Sequence, residues 1–315
     1  MRHSLLICGL VLAVSHLVVA QTIQQSSQSQ STEQQSDDTI RLETSVVNTY
    51  VSVRDPRGNF IRGLTKDDFV VLEDGKEQPV TYFSNETDEP LRVAVLIDRS
   101  RSVHDVLSRA EDVVRDFISS VLRPGKDSAC VIGFDSGVYL LQDFTDNADV
   151  LAGAVDELTS AGGTSMFDAI YKTSRDKLAA AGEERRVMIL ITDGEDSTSH
   201  ASIDQAIEMA INNNVAIYVI RLPSEHSLNV RDQQAKPVLT RLTSATGGRQ
   251  FLLEEGERQL SGFFDQLRSE LRAQYSIGYQ FQAAPSETRF HKITIKLIEP
   301  GLKAFARSGY YSRSQ

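Results

Sequence analysis

The sequence predicts a doubly wound, mostly parallel α/β sheet with an antiparallel edge strand, inserted in a small β-sandwich built by the flanking segments. Three observations carry this expectation. Between residues 91 and 273, apolar runs take turns with segments whose apolar residues recur every three or four positions. Within each run the apolar residues are continuous, as expected of parallel strands covered on both faces. Before and after that stretch the texture changes to short strand-like runs punctuated by Gly, Pro and Asp.

The chain has 315 residues, 40% hydrophobic and 24% charged, enough to bury a core and to form two domains. Its net charge of −10, with no Lys/Arg cluster, excludes nucleic acid as the main partner. "MRHSLLICGLVLAVSHLVVAQ" has a basic start, an apolar run and the small-residue site Val18-Val19-Ala20. It reads as a secretory signal peptide over 1–20, cleaved near Ala20, with an apolar core too short to span a membrane. The mature chain is therefore expected to be secreted or periplasmic and to carry no transmembrane span. Cys8 lacks the small residue before it that a lipoprotein signal needs, because Ile7 precedes it. Cys130 then remains alone in "SACVIGF" and reads as a small buried hydrophobe; no internal disulfide is possible.

Residues 21–39 are Gln/Ser-rich with little to bury and read as a disordered tether. In 40–90, "SVVNTYVSVRD" and "DFVVLEDGKEQPVTYFS" read as strands, with turns at Asp55-Pro56-Arg57-Gly58 and Glu73-Asp74-Gly75. "LRVAVLID" opens the α/β unit, 91–273, and a helix follows over Ser102 to Leu122. "DSACVIGF" and "VYLLQDF" flank a hairpin at Asp135-Ser136-Gly137, which makes the second of them the antiparallel edge. Helices are predicted over 148–158, 167–180, 202–213, 236–246 and 257–273, with strands at "RRVMILITD" and "VAIYVIRL". After 273, "YSIGYQFQ", "FHKITIKLIE" and "LKAFARSGYYS" are β-like again. Neither β piece has enough strands to cover a face alone, so 40–90 and 274–315 are expected to pair.

Three segments place side-chain oxygens at strand ends or in a loop between helices. Asp98, Ser100 and Ser102 follow the first buried strand, Thr164 lies in the Gly162-Gly163 loop, and Asp193 ends "MILITD". In an extended turn, alternate side chains face one way, so Asp98, Ser100 and Ser102 can converge while Arg99 and Arg101 point elsewhere. All five donors are hard oxygens without His or Cys, which favours Mg²⁺, with Mn²⁺ or Ca²⁺ also compatible, over an N/S zinc site. Two carboxylates and three hydroxyls leave room for water or a partner's carboxylate. Taken singly, the bland alternatives are a helix cap at Ser102 and an ordinary turn at Asp98. Glu195 and Asp196 read as solvated loop acids, Asp135 and Asp143 as turn residues, and His104, His200, His226 and His291 as scattered without ligand spacing.

"DRSRS" at 98–102, "GGTS" at 162–165 and "ITDGED" at 191–196 together resemble the von Willebrand factor type A domain. The flanks, "LTKDDFVVLEDGKEQPVTYFS" and "YSIGYQF…RSGYYS", resemble those of bacterial secreted VWFA-related proteins. The resemblance implies a Rossmann-like fold and a metal-ion-dependent adhesion site (MIDAS) made of Asp98, Ser100, Ser102, Thr164 and Asp193. It also implies a protein partner that offers a carboxylate to the bound cation. One position departs: many members have Gly between the two serines, where this chain has Arg101. Gly tolerates backbone angles that Arg does not, and two arginines beside the site oppose a cation; Arg101 could instead grip an incoming carboxylate. The alternatives are a structural module with an inactive site and a Mg²⁺-dependent phosphotransferase. The latter needs a general acid where Ser100 stands.

Overall fold

The computed structural model describes residues 43–85, 88–156, 158–179, 182, 184–222, 231–253, 257–283 and 289–312. The signal peptide and tether expected over 1–39 lie outside the described residues. Among the described residues, fourteen strands fall into three sheets.

The central sheet is the α/β unit. Its strands are β5 (Leu91–Asp98), β6 (Ser128–Phe134), β7 (Val138–Thr145), β8 (Arg185–Thr192), β9 (Val215–Arg221) and β10 (Gln250–Leu252). They lie in the order β10-β9-β8-β5-β6-β7. All neighbours are parallel except β6 and β7, which form the expected hairpin at the edge. Val93, Val95 and Ile97 pack on one face of β5, with α1 (Leu107–Val121) and α6 (Glu257–Leu271). Ala94 and Leu96 pack on the other, with α3 (Met166–Thr173), α4 (Ile203–Asn212) and α5 (Arg231–Thr246). The unbroken apolar run of β5 is thus explained by cover on both faces. A short α2 (Ala148–Gly153) seats Leu151 beside α1.

The other two sheets are built from both ends of the chain. One has the order β13-β1-β11-β4, from β1 (Glu43–Arg54), β4 (Val80–Ser84), β11 (Gln274–Ala283) and β13 (Lys303–Phe305). The second has the order β14-β12-β2-β3, from β2 (Phe69–Glu73), β3 (Lys76–Gln78), β12 (Phe290–Leu297) and β14 (Gly309–Tyr311). β1 runs antiparallel to β11 over ten residue pairs, from Glu43↔Ala283 to Ser52↔Gln274, and β2 pairs with β12. The two sheets meet face to face: Phe69 of β2 lies 5.2 Å, ring to ring, from Tyr275 of β11. Strand pairing therefore joins the two β-rich pieces into a sandwich, as the strand count required.

Ion pairs tie the sandwich to the α/β unit. Glu270 of α6 is fully buried and binds Arg54 of β1 at 2.9 Å and Arg249 at 2.5 Å. Within the α/β unit, Asp127 receives Arg272 at 2.6 Å and Arg123 at 2.8 Å.

Helix boundaries differ from expectation where local chemistry intervenes. The helix expected from Ser102 begins as a 3-10 turn, Arg101–Val106, and becomes α-helical at Leu107. Tightening at a helix N-terminus is common where side chains hold the entering loop. α2 ends at Gly153 rather than 158, at the residue with the poorest helix propensity after proline. α3 passes at Ser174 into a π-turn that ends at Leu178. α5 starts ahead of Pro237, at Arg231. Among the described residues, no helix is long and apolar enough to cross a membrane.

Candidate metal centre

The strand order reverses between β5 and β8. From β5 the chain steps through α1 to β6 on one side, whereas β8 and then β9 are laid down on the other. Loops diverge at such a point and leave a crevice at the carboxyl ends of the two strands. Asp98 is the last residue of β5, and Asp193 follows the last residue of β8.

Asp98 is fully buried. Its Oδ2 accepts a hydrogen bond from the Thr192 hydroxyl at 2.6 Å, and its Oδ1 accepts one from the Ser100 backbone N–H at 2.9 Å. The Thr192 hydroxyl in turn accepts from the Gly194 N–H at 3.0 Å. Burial, and then the negative charge of Asp193, push the Asp98 carboxyl up to about 7; the bonds from Ser100 and Thr192 oppose the rise. Ser100 is buried, and its hydroxyl lies 3.0 Å from that of Ser102. Asp193 is also buried, with Oδ1 accepting from the Glu195 N–H at 3.1 Å. Asp98, Ser100, Ser102 and Asp193 thus form one neighbourhood.

Thr164 joins it through its backbone. The Arg101 N–H donates to the Gly162 carbonyl at 3.4 Å, and the Ala161 N–H to the Arg99 carbonyl at 2.9 Å. The Thr164 carbonyl accepts from the N–H groups of Ser197 and Thr198, and its own N–H donates to the Ser197 hydroxyl. The loop carrying Thr164 is therefore laced to both of the other motifs. Gly162 allows this: its φ is +66°, and a Cβ there would lie 2.6 Å from the Ser136 hydroxyl.

The two arginines behave differently. Arg99 turns to the β6–β7 hairpin, with Nε 3.0 Å from Asp135 and its guanidinium 5.0 Å from the Tyr139 ring centre. Arg101 is exposed. Its φ is not positive: among the described residues only Asp74 and Asn214 have positive φ outside glycine. The backbone angle that made Arg a concern at this position is not used here.

The donor set fits a hard divalent cation on this structure's own chemistry. Two carboxylates are buried close enough for the charge of Asp193 to act on Asp98, and no ion pair to Lys, Arg or His involves either among the described residues. Buried like charges without a counter-charge are costly, and a cation would relieve both.

Sequence reasoning missed three supporting groups. Thr192 looked like an ordinary strand residue; only the register of β5 against β8 makes it the partner of Asp98. Asp196, expected to be a solvated acid, is half-buried and accepts from the Phe167 N–H at 3.0 Å and the Ser199 hydroxyl at 2.6 Å, so it caps α3. Asp168 is buried and accepts from the N–H groups of His200 and Ala201. Its place in the first turn of α3 was the available signal.

Comparisons agree with this architecture. The family described as von Willebrand factor type A domain matches residues 93–195, a span containing Asp98, Ser100, Ser102, Thr164 and Asp193. Proximal thread matrix protein 1 from the mussel byssus, with a zinc-occupied MIDAS motif, superposes with a TM-score of 0.50 at 16% identity, covering 64% of this chain and 50% of that one. A von Willebrand factor type A protein from Catenulispora acidiphila gives 0.49 at 12% identity, covering 78% and 72%. The conserved hypothetical protein BatB from Bacteroides thetaiotaomicron gives 0.46 at 16%, covering 56% and 97%. A sequence comparison with curated proteins finds no match. The family match falls on strands β5 to β8 of the doubly wound sheet and on its switch-point loops, so residues 93–195 form a region similar to the von Willebrand factor type A domain.

Proposed function

We propose that the protein is a metal-dependent binding module. In it Asp98, Ser100, Ser102, Thr164 and Asp193 hold a divalent cation, Mg²⁺ foremost, and a partner protein's carboxylate completes the coordination. The observation that carries this reading is the buried Asp98–Asp193 pair, at a switch-point crevice and, among the described residues, without a basic partner. The zinc-occupied MIDAS motif of the mussel protein, on a similar fold, is consistent with it.

Each residue has a defined task. The Thr192 hydroxyl and the Ser100 N–H fix the two oxygens of Asp98, so that its free lone pairs keep one direction. Asp98 must lose its proton before it can ligate. Ser100 and Ser102 add neutral oxygens, which leave the cation short of negative charge and receptive to an outside carboxylate. When bound, the cation would supply that Lewis acidity. Exposed Arg101 adds a bidentate donor for the same carboxylate.

In this reading the α/β unit, 91–273, is the binding head. Segments 40–90 and 274–315 are its mount, and the leader over 1–20 directs the chain to the periplasm or the medium. No catalytic role is assigned: Ser100 stands where a phosphotransferase would need a general acid.

Thermal melting with Mg²⁺, Mn²⁺ or Ca²⁺ against chelator tests the site. A cation bound only by the folded state, at a hundred times its Kd, adds ~2.7 kcal/mol and raises the midpoint. Asp98→Ala and Asp193→Ala should each abolish the shift. A shift untouched by both variants places the cation elsewhere and defeats the proposal. Capture of a partner in the presence of Mg²⁺ that is lost in chelator would extend the result to adhesion.

A further inference from the structure

A second cluster lies on the sandwich. Glu73 and Asp74 open the tight turn between β2 and β3, and His291 lies on β12 beside them. One nitrogen of His291 and one carboxylate oxygen each from Glu73 and Asp74 lie within 4.8 Å of one another. His291 Nδ1 is 3.1 Å from Asp74 Oδ2 and 3.4 Å from Glu73 Oε1. Ligands of a tetrahedral ion with bonds of 2.0–2.2 Å stand about 3.3–3.6 Å apart. The two spacings from His291 therefore approach two edges of such a tetrahedron, and the third, between the two carboxylate oxygens, is within 4.8 Å.

The oxygens and the ring are also held from behind, as metal ligands usually are. The Tyr310 hydroxyl donates to Glu73 Oε2 at 3.2 Å, and the Tyr310 ring stacks on His291 at 5.2 Å and 18°. The Lys292 N–H donates to Asp74 Oδ1 at 2.9 Å and leaves Oδ2 toward the imidazole. Glu73 is 6% exposed and His291 9%. No Lys or Arg pairs with Glu73 among the described residues; its cationic partner is His291, if protonated, or an ion in its place. The positive φ of Asp74, 48°, needs no functional cause, since an Asp-Gly turn adopts it readily. Arg289 competes, with Nη2 3.3 Å from Asp74 Oδ2, but its side chain is mostly exposed and free to swing away.

We propose that Glu73, Asp74 and His291 form a second metal site, for a borderline divalent ion of the Zn²⁺ type, distinct in ligands and location from the all-oxygen centre. One imidazole nitrogen with two carboxylates suits Zn²⁺ or Co²⁺ better than Mg²⁺. The assignment does not depend on the proposed function.

Co²⁺ titration of the full chain, read by visible absorption, tests it. The Asp98→Ala/Asp193→Ala variant serves as background, so that the all-oxygen centre is silent. The expected result is the intense visible bands of four-coordinate Co²⁺ at one equivalent, bleached by Zn²⁺ and unmoved by excess Mg²⁺. His291→Gln should remove the bands. Asp74→Asn, which suits the positive φ and keeps the turn, should weaken Co²⁺ binding by roughly tenfold or more, and Arg289→Gln should tighten it. Absent bands in folded protein, or bands that survive both His291→Gln and Asp74→Asn, overturn the assignment. The triad is then an imidazolium–carboxylate ion pair.

Discussion

Replacing Asp98 by Asn isolates what the buried carboxylate costs the metal-free fold. In the native state this group titrates at about 7, against ~3.9 in an unfolded chain. The folded pKa is the higher one, so between pH ~4 and ~7 the native state keeps a proton that the unfolded state releases. Stability from this group therefore falls as pH rises through that window, and the full cost is present above pH ~7. Three units at 1.36 kcal/mol each amount to about 4 kcal/mol. Asn carries no charge in either state, but it offers one acceptor where Asp98 receives both Ser100 and Thr192. Reorganising one of those bonds costs about 1–1.5 kcal/mol. At pH 8 in chelator, Asp98→Asn should then be more stable than the parent by ~2–3 kcal/mol. At pH 4 it should be slightly less stable. Urea denaturation at the two pH values reads the difference, and groups that titrate elsewhere cancel between parent and variant. A variant destabilised equally at both pH values would refute the reasoning, because the carboxylate would then be charged and satisfied without a cation.

Three further outcomes follow from the same geometry. Apparent Mg²⁺ affinity should be flat above pH 7 and drop about tenfold per unit below it, as the proton on Asp98 competes with the ion; calorimetric titration at pH 6, 7 and 8 checks this. Gly194→Ala should cost ~1–3 kcal/mol in chemical denaturation, because φ is +90° and the new Cβ would lie 2.8 Å from that of Ala235. Glu270→Ala should cost about 3 kcal/mol or more, since it strands Arg54 and Arg249 at the seam between sandwich and α/β unit, and a urea midpoint that does not move would count against that seam.

Much of the fold was legible because it rests on local patterning. The run Leu91–Asp98 is apolar without alternation and is a strand with parallel neighbours on both sides. The turn Asp135-Ser136-Gly137 turned β7 into the antiparallel edge as its residues require. Closure of the two β pieces followed from a counting argument about strands rather than from any residue pair. What stayed hidden was non-local. Thr192 carries no signal until the register sets Ile191 beside Ile97 and brings its hydroxyl to Asp98. His291 looked solitary, yet it meets Asp74 across 217 positions of chain. Asp196 was read as solvated because a loop acid gives no hint of the helix N-terminus it will face.

The arginines at 99 and 101 sharpen the question of what the all-oxygen centre does. Repulsion was the objection to a cation there, yet Arg99 is neutralised by Asp135 at 3.0 Å and faces the hairpin. Arg101 is exposed, and in water a unit charge at ~8 Å repels a divalent cation by about 1 kcal/mol, which salt screening at physiological ionic strength reduces to about 0.4 kcal/mol. Arg101→Gly should therefore strengthen Mg²⁺ binding no more than about twofold. The effect on partner capture should be larger and opposite in sign. A guanidinium beside the open coordination position gives an incoming carboxylate a second, bidentate hold, and losing a charge-assisted hydrogen bond costs about 1.5–3 kcal/mol, or more than tenfold in Kd. Calorimetry with Mg²⁺ and capture with partner separate the two effects in one variant. If Arg101→Gly raises cation affinity tenfold or more, this side chain is instead a brake on the metal. The departure from glycine would then mark a centre held closed, not one adapted to an acidic ligand.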